Sequence, residues 1–364
     1  MRPSRSALAA TAMVVMVLVG LVLVGRLSAG GLRSSGPPAV STESRQAAPP
    51  PRSTTPSPVT LRLPLGRVDA LAVQGDAVWA AHGCVISRVD ARSGRVVAAV
   101  RLTPTRIGCF VVGMAAGAGA LWVSLSGQRL LRVDPTSNRV VASLAMADPL
   151  AAPAVTAGGV WTVCCWSGVA TRHPAGWLVR VDPASTREAA RVRLPGLPTA
   201  VGAGPGGIWV TGAGGPIWRV DPAGGRVVAT VAVPGGLGGL PGRTGRAGEV
   251  GDVLVGPHAV WVSNPARGQV LRVDPARNRL VRAAVFHRGE LIGPSLAAAG
   301  GQVWATSWTI LWALGTPGRQ ADLDQPGVPG AEGAEPISDL AASPGALWVG
   351  ASDVLLRVDL ARLR

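Results

Sequence analysis

The sequence predicts an all-β fold, a seven-bladed β-propeller, on three observations. An apolar run that contains tryptophan recurs seven times, at intervals of about 40–50 residues. The phrase Arg-Val-Asp follows six of these runs, about ten residues later in five units and nineteen residues later in the unit of Trp161. Glycine and proline, with 49 and 31 of the 364 residues, interrupt the chain every few positions and leave few windows for a helix. The period therefore indicates one four-stranded propeller blade per unit rather than a helical repeat.

The recurring residues have structural interpretations. We interpret one tryptophan per unit as core between blades, with a ligand-stacking cage as the alternative, at Trp79, Trp122, Trp161, Trp209, Trp261, Trp304 and Trp348. Each phrase aspartate is expected to open a hairpin and accept backbone N–H groups there. The phrases begin at Arg88, Arg132, Arg180, Arg219, Arg272 and Arg357, and a degenerate copy begins at Trp312.

The unit around Trp122 shows the four strands, which are labelled a to d in chain order. Residues 111–116, 120–124, 129–133 and 139–144 are apolar runs separated by turn residues. Asn138 is expected to close the c–d hairpin, because asparagine tolerates the left-handed conformation required there.

The two ends of the array predict how the ring closes. Only residues 360–364 follow the last phrase, so the last unit lacks a strand d. Residues 59–64, at the start of the array, resemble the d strands of other units. We therefore expect this segment to complete the last blade and remove an exposed sheet edge, which gives a propeller over 59–364. Residues 316–336 are acidic and rich in proline and glycine, and are expected to replace part of blade 6.

The N-terminal region differs from the array. Arg2 and Arg5 precede an uncharged apolar run, and residues 7–25 are long enough for a membrane anchor with a cytoplasmic N-terminus. A signal peptide cleaved near Ala29 is the alternative and would give a secreted protein. Residues 1–29 are thus the anchor or signal, and residues 30–58 a disordered linker. Both alternatives place the propeller outside the cytoplasm.

The net charge of +15 arises without any lysine. Arginines are scattered along the blades rather than clustered, so we interpret them mainly as a soluble surface. An anionic partner such as lipid headgroups or a cell-envelope polymer is the alternative. The scatter and the compartment both argue against nucleic acid.

Parts of the fourth unit resemble a known superfamily. Residues 208–211 (Ile-Trp-Val-Thr) and 217–222 (Ile-Trp-Arg-Val-Asp-Pro) are similar to YVTN and streptogramin-lyase-like β-propellers. A weaker resemblance is to pyrroloquinoline-quinone propeller repeats, in which Ala229 would be tryptophan. The resemblance covers the whole ring and implies the fold, but such propellers host many functions. No cofactor is predicted.

The four cysteines permit disulfides outside the cytoplasm. Cys84 lies in a b–c hairpin and Cys109 in the connection to the next blade. Both loop types emerge on one face of a propeller, so the sequence predicts a Cys84–Cys109 bond. Cys164 and Cys165 are adjacent, which does not match the ligand spacing of a metal site, and their state stays open.

Function is expected on the face that carries the b–c hairpins and the d–a connections between blades, called here the loop face. The predicted partner is a protein, an envelope polymer or a small ligand, bound without chemistry through this face. The candidate binding residues are Trp166, His173, Arg243, Arg246 and Arg288. His258 belongs to an a–b turn on the opposite face.

A metal-assisted lyase or hydrolase is the alternative function. Streptogramin lyases use histidine and glutamate with a metal, so the resemblance implies His287, Glu290 and His82 as alternative catalytic residues. This alternative requires these side chains to converge near the ring axis. No metal site is predicted from the residues themselves.

Overall fold

The computed structural model describes most of the chain from residue 57 onward. The described ranges are 57–103, 108–126, 129–147, 151–167, 175–221, 223, 225–237, 251–285, 295–307, 310–314, 320–322 and 337–363. The expected anchor and most of the linker, residues 1–56, lie outside them. Within the described ranges, no helix has the length and hydropathy needed to cross a membrane.

The described residues form seven four-stranded antiparallel sheets, which confirms the seven-bladed propeller. The first strand is β1 (Val59–Leu63). Blade 1 then contains β2 (Ala70–Gln74), β3 (Ala77–His82), β4 (Val85–Asp90) and β5 (Val96–Arg101). Blade 2 contains β6 (Val111–Gly117), β7 (Ala120–Leu125), β8 (Arg129–Asp134) and β9 (Arg139–Ala145). Blade 3 contains β10 (Ala154–Thr156), β11 (Gly159–Ser167), β12 (Ala175–Asp182) and β13 (Arg187–Leu194).

The remaining blades follow the same order. Blade 4 contains β14 (Pro198–Gly204), β15 (Gly207–Gly212), β16 (Ile217–Asp221) and β17 (Arg226–Val231). Blade 5 contains β18 (Val253–Val255), β19 (Val260–Asn264), β20 (Gln269–Asp274) and β21 (Arg279–Val285). Blade 6 contains β22 (Leu296–Ala299), β23 (Gln302–Ser307), β24 (Ile310–Leu314) and β25 (Gln320–Asp322). Blade 7 contains β26 (Asp339–Ser343), β27 (Ala346–Gly350), β28 (Leu355–Asp359) and β1, and short 3-10 turns occur at Pro265–Arg267 and Leu360–Arg362.

The ring closes as the sequence predicts. β1 pairs antiparallel with β28, and Leu63 lies opposite Leu355. The first strand of each blade contacts the first strands of its two neighbours, and the series returns from β26 to β2. One expectation needs correction: within the expected insertion 316–336, β25 pairs with β24, so blade 6 keeps a short strand d.

The recurring tryptophans lie between the sheets. Six of the seven are at most 2% exposed, while Trp261 is partly buried. Several donate their indole N–H to a carbonyl of the a–b turn, as Trp209 does to Gly206 at 3.0 Å. Burying these large side chains removes much apolar surface from water, while the hydrogen bond satisfies their one polar atom.

The arginine of the repeated phrase connects neighbouring blades. Its guanidinium lies over the blade tryptophan, as for Arg88 at 5.4 Å and Arg219 at 5.6 Å from the ring centroid. Arg88 also donates to the carbonyl of Pro135 in the next blade, and Arg219 to that of Pro275, both at 2.8 Å. The accepting carbonyl belongs to the Asp-Pro turn of the next blade. The repeated phrase therefore provides the arginine donor in one blade and the carbonyl acceptor in the next.

The aspartate of the phrase caps the c–d hairpin, as predicted. Asp134 accepts N–H groups from Thr136 and Ser137, and Asn138 has a φ of 54°. The hydrogen bond from the Ser137 hydroxyl, with these N–H groups, holds the pKa of Asp134 below its ordinary value. The repeated carboxylates therefore have a structural use in the turns.

Candidate functional site

The two faces of the ring differ in the regularity of their loops. On the face opposite the loop face, called here the turn face, the a–b turns contain two residues except in blade 5, where they span 256–259. The c–d turns there contain four or five residues. On the loop face, by contrast, the d–a connections differ widely in length. The shortest spans 195–197 and the longest spans 232–252. A rigid scaffold with variable loops on one face is the usual arrangement of a binding protein.

The innermost strands bring three polar residues together at the loop-face end of the ring axis. Asp252, Ser295 and Asp339 occupy one repeat position in blades 5, 6 and 7, two residues before the residue that pairs with the blade tryptophan. The other four blades carry small residues there, at Ala70, Gly113, Ala152 and Ala200. We call the three polar residues the axial cluster.

The axial carboxylates bridge neighbouring blades. Asp252 Oδ2 accepts the N–H of Leu296 in blade 6 at 2.9 Å, and Asp339 Oδ2 accepts the N–H of Leu71 in blade 1 at 2.6 Å. The second contact lies where the last blade meets the first. These carboxyl groups therefore hold the innermost strands of neighbouring blades together.

Hydroxyl groups position the residues that lead into the innermost strands. Ser124 and Thr162 donate to the carbonyl of Ala151, at 2.7 and 3.1 Å. Thr306 accepts the N–H of Ser295 at 3.1 Å, and Ser338 donates to the carbonyl of Val68. Because buried backbone groups need partners, these side chains replace the ladder bonds that the strands lack at this end.

The environment of the axial cluster disfavours ionised carboxyl groups. Burial raises the pKa of Asp252. Burial also raises the pKa of Asp339 to about 7, and the charge of Asp252 adds to the rise, while the Leu71 N–H and the Ser295 hydroxyl oppose it. Both side chains are enclosed by protein and still keep partial solvent exposure, as expected for groups at the axis of the ring.

His82 lies at the end of β3 on the loop face, near a carboxylate of the same blade. Its Nε2 is 2.8 Å from the hydroxyl of Ser87, and Asp69 binds Arg67 at 3.2 Å. Burial lowers the pKa of His82, and the negative charge of Asp69 partly opposes this. Burial, and not a partner, therefore favours the neutral imidazole.

Most predicted site residues cannot be placed relative to His82. His173, Arg243, Arg246, His287, Arg288 and Glu290 lie outside the described residues, and Trp166 is described only through the backbone of β11. Among the described residues, no three histidine, cysteine, aspartate or glutamate side chains are arranged to hold a metal ion. The alternative catalytic set therefore remains a prediction.

The cysteines bear out the predicted disulfide. Cys84 and Cys109 are bonded, and they tie the first b–c hairpin to the connection between blades 1 and 2. The enclosed segment spans 25 residues, for which chain entropy gives about 3–4 kcal/mol of stabilisation. Cys164 is buried and also disulfide-bonded.

The sequence reasoning missed the axial cluster. The signal was present in the repeat, because a polar residue nine positions before the blade tryptophan occurs in three consecutive blades. Alignment of the units on their tryptophans would have found it.

Comparison with solved structures supports the fold alone. The β-propeller domain of Cps50 (Swd1) from Myceliophteria thermophila matches with a TM-score of 0.63 and 11% sequence identity. The match covers 84% of this chain and 100% of that domain. No family model matches the sequence, nor does any curated protein.

Proposed function

We propose that this chain is an extracytoplasmic binding or scaffolding module of the YVTN and streptogramin-lyase-like type, and that it binds its partner through the loop face. The observation that carries the proposal is the contrast between the two faces. Short, repeated turns occupy nearly all of the turn face, while the d–a connections of the loop face differ in length from blade to blade. Variable loops on a rigid ring provide a specific surface with little ordering cost.

The hydrogen bonds that the described polar side chains make within the ring also favour a binding function over a catalytic one. A general base must reach a substrate proton directly or through one water. Asp252 and Asp339 instead accept backbone N–H groups, and His82 contacts Ser87. These side chains contribute to the architecture of the ring, so recognition falls to the loops around them.

The partner that suits this face is anionic or polar. Arg243 and Arg246 lie in the connection 232–252 between blades 4 and 5, and Arg288 lies between blades 5 and 6. Arginine forms paired hydrogen bonds with carboxylate and phosphate groups and is enriched in interfaces. An anionic cell-envelope polymer fits both this chemistry and the proposed location.

The test of the proposal measures binding of the full-length protein to purified anionic envelope polymer. The double substitution Arg243→Ala and Arg246→Ala should weaken binding about tenfold or more, because each charge-assisted contact contributes roughly 1.5–3 kcal/mol. Arg139→Ala with Arg226→Ala removes the same charge from strand d of two blades and should leave binding unchanged. Equal loss in both double variants would indicate only non-specific attraction.

A screen for turnover completes this test. The protein is assayed with and without divalent metal, beside His287→Ala and Glu290→Ala. Metal-dependent turnover that disappears in both variants would replace the binding proposal with the lyase alternative.

We also propose that residues 7–25 anchor the chain in a membrane with the propeller outside the cytoplasm. The length of the run, its lack of charge and the arginines before it support this proposal. Washing membranes with alkaline carbonate should leave the protein in the pellet. Recovery of a soluble product that begins near residue 31 would establish a cleaved signal peptide instead.

A further inference from the structure

A cleft opens on the turn face between blades 4 and 5. Its volume is about 500 Å³, which is within the range of small-ligand sites. The a–b turns of both blades form its walls at Pro205–Gly206 and Pro257–His258, and the c–d turn of blade 5 closes one side. The cleft lies at the opposite end of the strands from the loop face, so it is independent of the proposed function.

The cleft coincides with two departures from the repeat. The a–b turn of blade 5 is the one that exceeds two residues within the described turns, and its extra length carries His258. In the c–d turn, blades 1–3 place Ser93, Ser137 and Ser185 three residues after the phrase aspartate, where blade 5 has Arg277. Two positions at which blade 5 differs from blades 1–3 thus line one cleft.

Positive charge dominates the cleft. Arg219, Arg272 and Arg277 line it with His258, and Asp274 is the carboxylate among its lining residues. Asp274 is already satisfied, because it accepts the N–H groups of Ala276 and Arg277 and pairs with the Arg277 guanidinium at 2.8 Å. The lining therefore keeps a net positive charge.

Arg272 supplies donors to the cleft that the fold does not use. Its guanidinium stacks 5.7 Å from the centroid of Trp261, which fixes its orientation. The equivalent Arg88 and Arg219 donate to the Asp-Pro turn of the next blade, whereas the guanidinium of Arg272 makes no hydrogen bond or ion pair with the described residues. The sequence of blade 6 lacks the Asp-Pro turn that would receive it. Arg272 is also exposed, while Arg88 and Arg219 are half-buried.

We propose that the cleft between blades 4 and 5 binds a phosphate- or sulfate-bearing anion, held by Arg272 and Arg277 with His258 at its rim. A tetrahedral oxyanion offers several acceptors to guanidinium donors and neutralises the charge of the cleft. The group belongs either to a free small molecule or to a phosphate-containing polymer, and the chemistry of recognition is the same.

The probe is inorganic pyrophosphate, titrated calorimetrically into the full-length protein at low salt. Arg277→Ser installs the residue that blades 1–3 carry at this turn, so the fold should tolerate it. We expect Arg277→Ser and Arg272→Ala each to weaken binding about tenfold, the loss that corresponds to one charge-assisted hydrogen bond. If Arg272→Ala fails to fold, Arg277→Ser carries the test alone.

The matched control is Arg362→Ser, because Arg362 occupies the same turn position in blade 7, outside the cleft. It should bind pyrophosphate like the parent. Equal affinity for pyrophosphate in Arg277→Ser, Arg272→Ala and the control would overturn the proposal. The proposal would also fail if the protein bound neither pyrophosphate nor the polymer probe of the second titration.

A second titration distinguishes the sources of the anion. Soluble poly(glycerol phosphate) presents the same group in a polymer. Tighter binding of pyrophosphate than of this polymer supports the site and indicates that its ligand is a free small molecule. Tighter binding of the polymer also supports the site and indicates a phosphate-containing polymer as the ligand.

Discussion

A chain that starts at residue 66 should melt far below one that starts at residue 57, or aggregate. The shorter chain lacks β1, so β28 loses its ladder partner and blade 7 keeps three strands. Leu61 and Leu63, which are half-buried, also leave the cluster around Trp348, and full burial of one such side chain would contribute roughly 1.5–3 kcal/mol. A typical domain is stable by only about 5–15 kcal/mol, so the loss removes a large part of the total.

The position of Leu61 makes the effect larger than that of an ordinary edge strand. Its side chain lies against Gly94 in the c–d turn of blade 1, where an added Cβ would come within 2.6 Å of it. Loss of β1 therefore loosens the contact between the first and last blades as well as opening an edge to pairing with other chains.

The chain that starts at residue 57 is the control for this prediction. The chain from residue 57 lacks the proposed anchor and linker but keeps Pro58, whose carbonyl accepts the N–H of Asp359 at 2.9 Å. Thermal unfolding followed by circular dichroism measures the difference between the two chains. Equal melting temperatures would show that β1 contributes nothing to closure.

The fold was predictable because each repeated phrase specifies contacts at two levels. Trp209 fills the space between sheets, Arg219 stacks on it and reaches the next blade, and Asp221 caps the hairpin that follows. Local turn chemistry and packing between blades thus agree within one short sequence, and six copies of it reinforce each other. The position of β1 was predictable because the last unit has no strand d of its own.

The axial cluster and the cleft could not be assembled in the same way. Asp252 and Asp339 share one repeat position, which alignment of the units gives, but they lie in different blades. The distance between the two carboxyl groups depends on how neighbouring sheets are offset, which the sequence does not predict. His258 was assigned correctly to an a–b turn, but its position in one cleft with Arg272 depends on the geometry of blades 4 and 5. Repeat sequences predict the scaffold well and predict poorly which departures from the repeat meet in space.

Asp339 is expected to make the propeller less stable as the pH rises from about 4 to about 7. The pKa of Asp339 in the folded ring is about 7, against an ordinary value of 3.8. A raised pKa means that the folded state binds the proton more tightly, so the stabilisation is complete below about pH 4 and is lost as the pH rises through 7. A tenfold difference in proton affinity between the folded and unfolded states corresponds to about 1.4 kcal/mol, and partial exposure at the axis reduces the total to roughly 2–4 kcal/mol.

Asp339→Asn tests this effect because it removes the charge and keeps an oxygen to accept the N–H of Leu71. The variant should be more stable than the parent at pH 8, by up to a few kcal/mol, and should lose the part of the slope that Asp339 contributes below about pH 7. Urea unfolding at several pH values measures the free energy of each protein. Asp134→Asn is the matched control: hydrogen bonds lower the pKa of this exposed turn carboxyl, so its contribution is lost only as the pH falls below its ordinary range. Parallel pH profiles for the parent and Asp339→Asn would show that the axial carboxylate is already ionised without cost, with water at the axis solvating it.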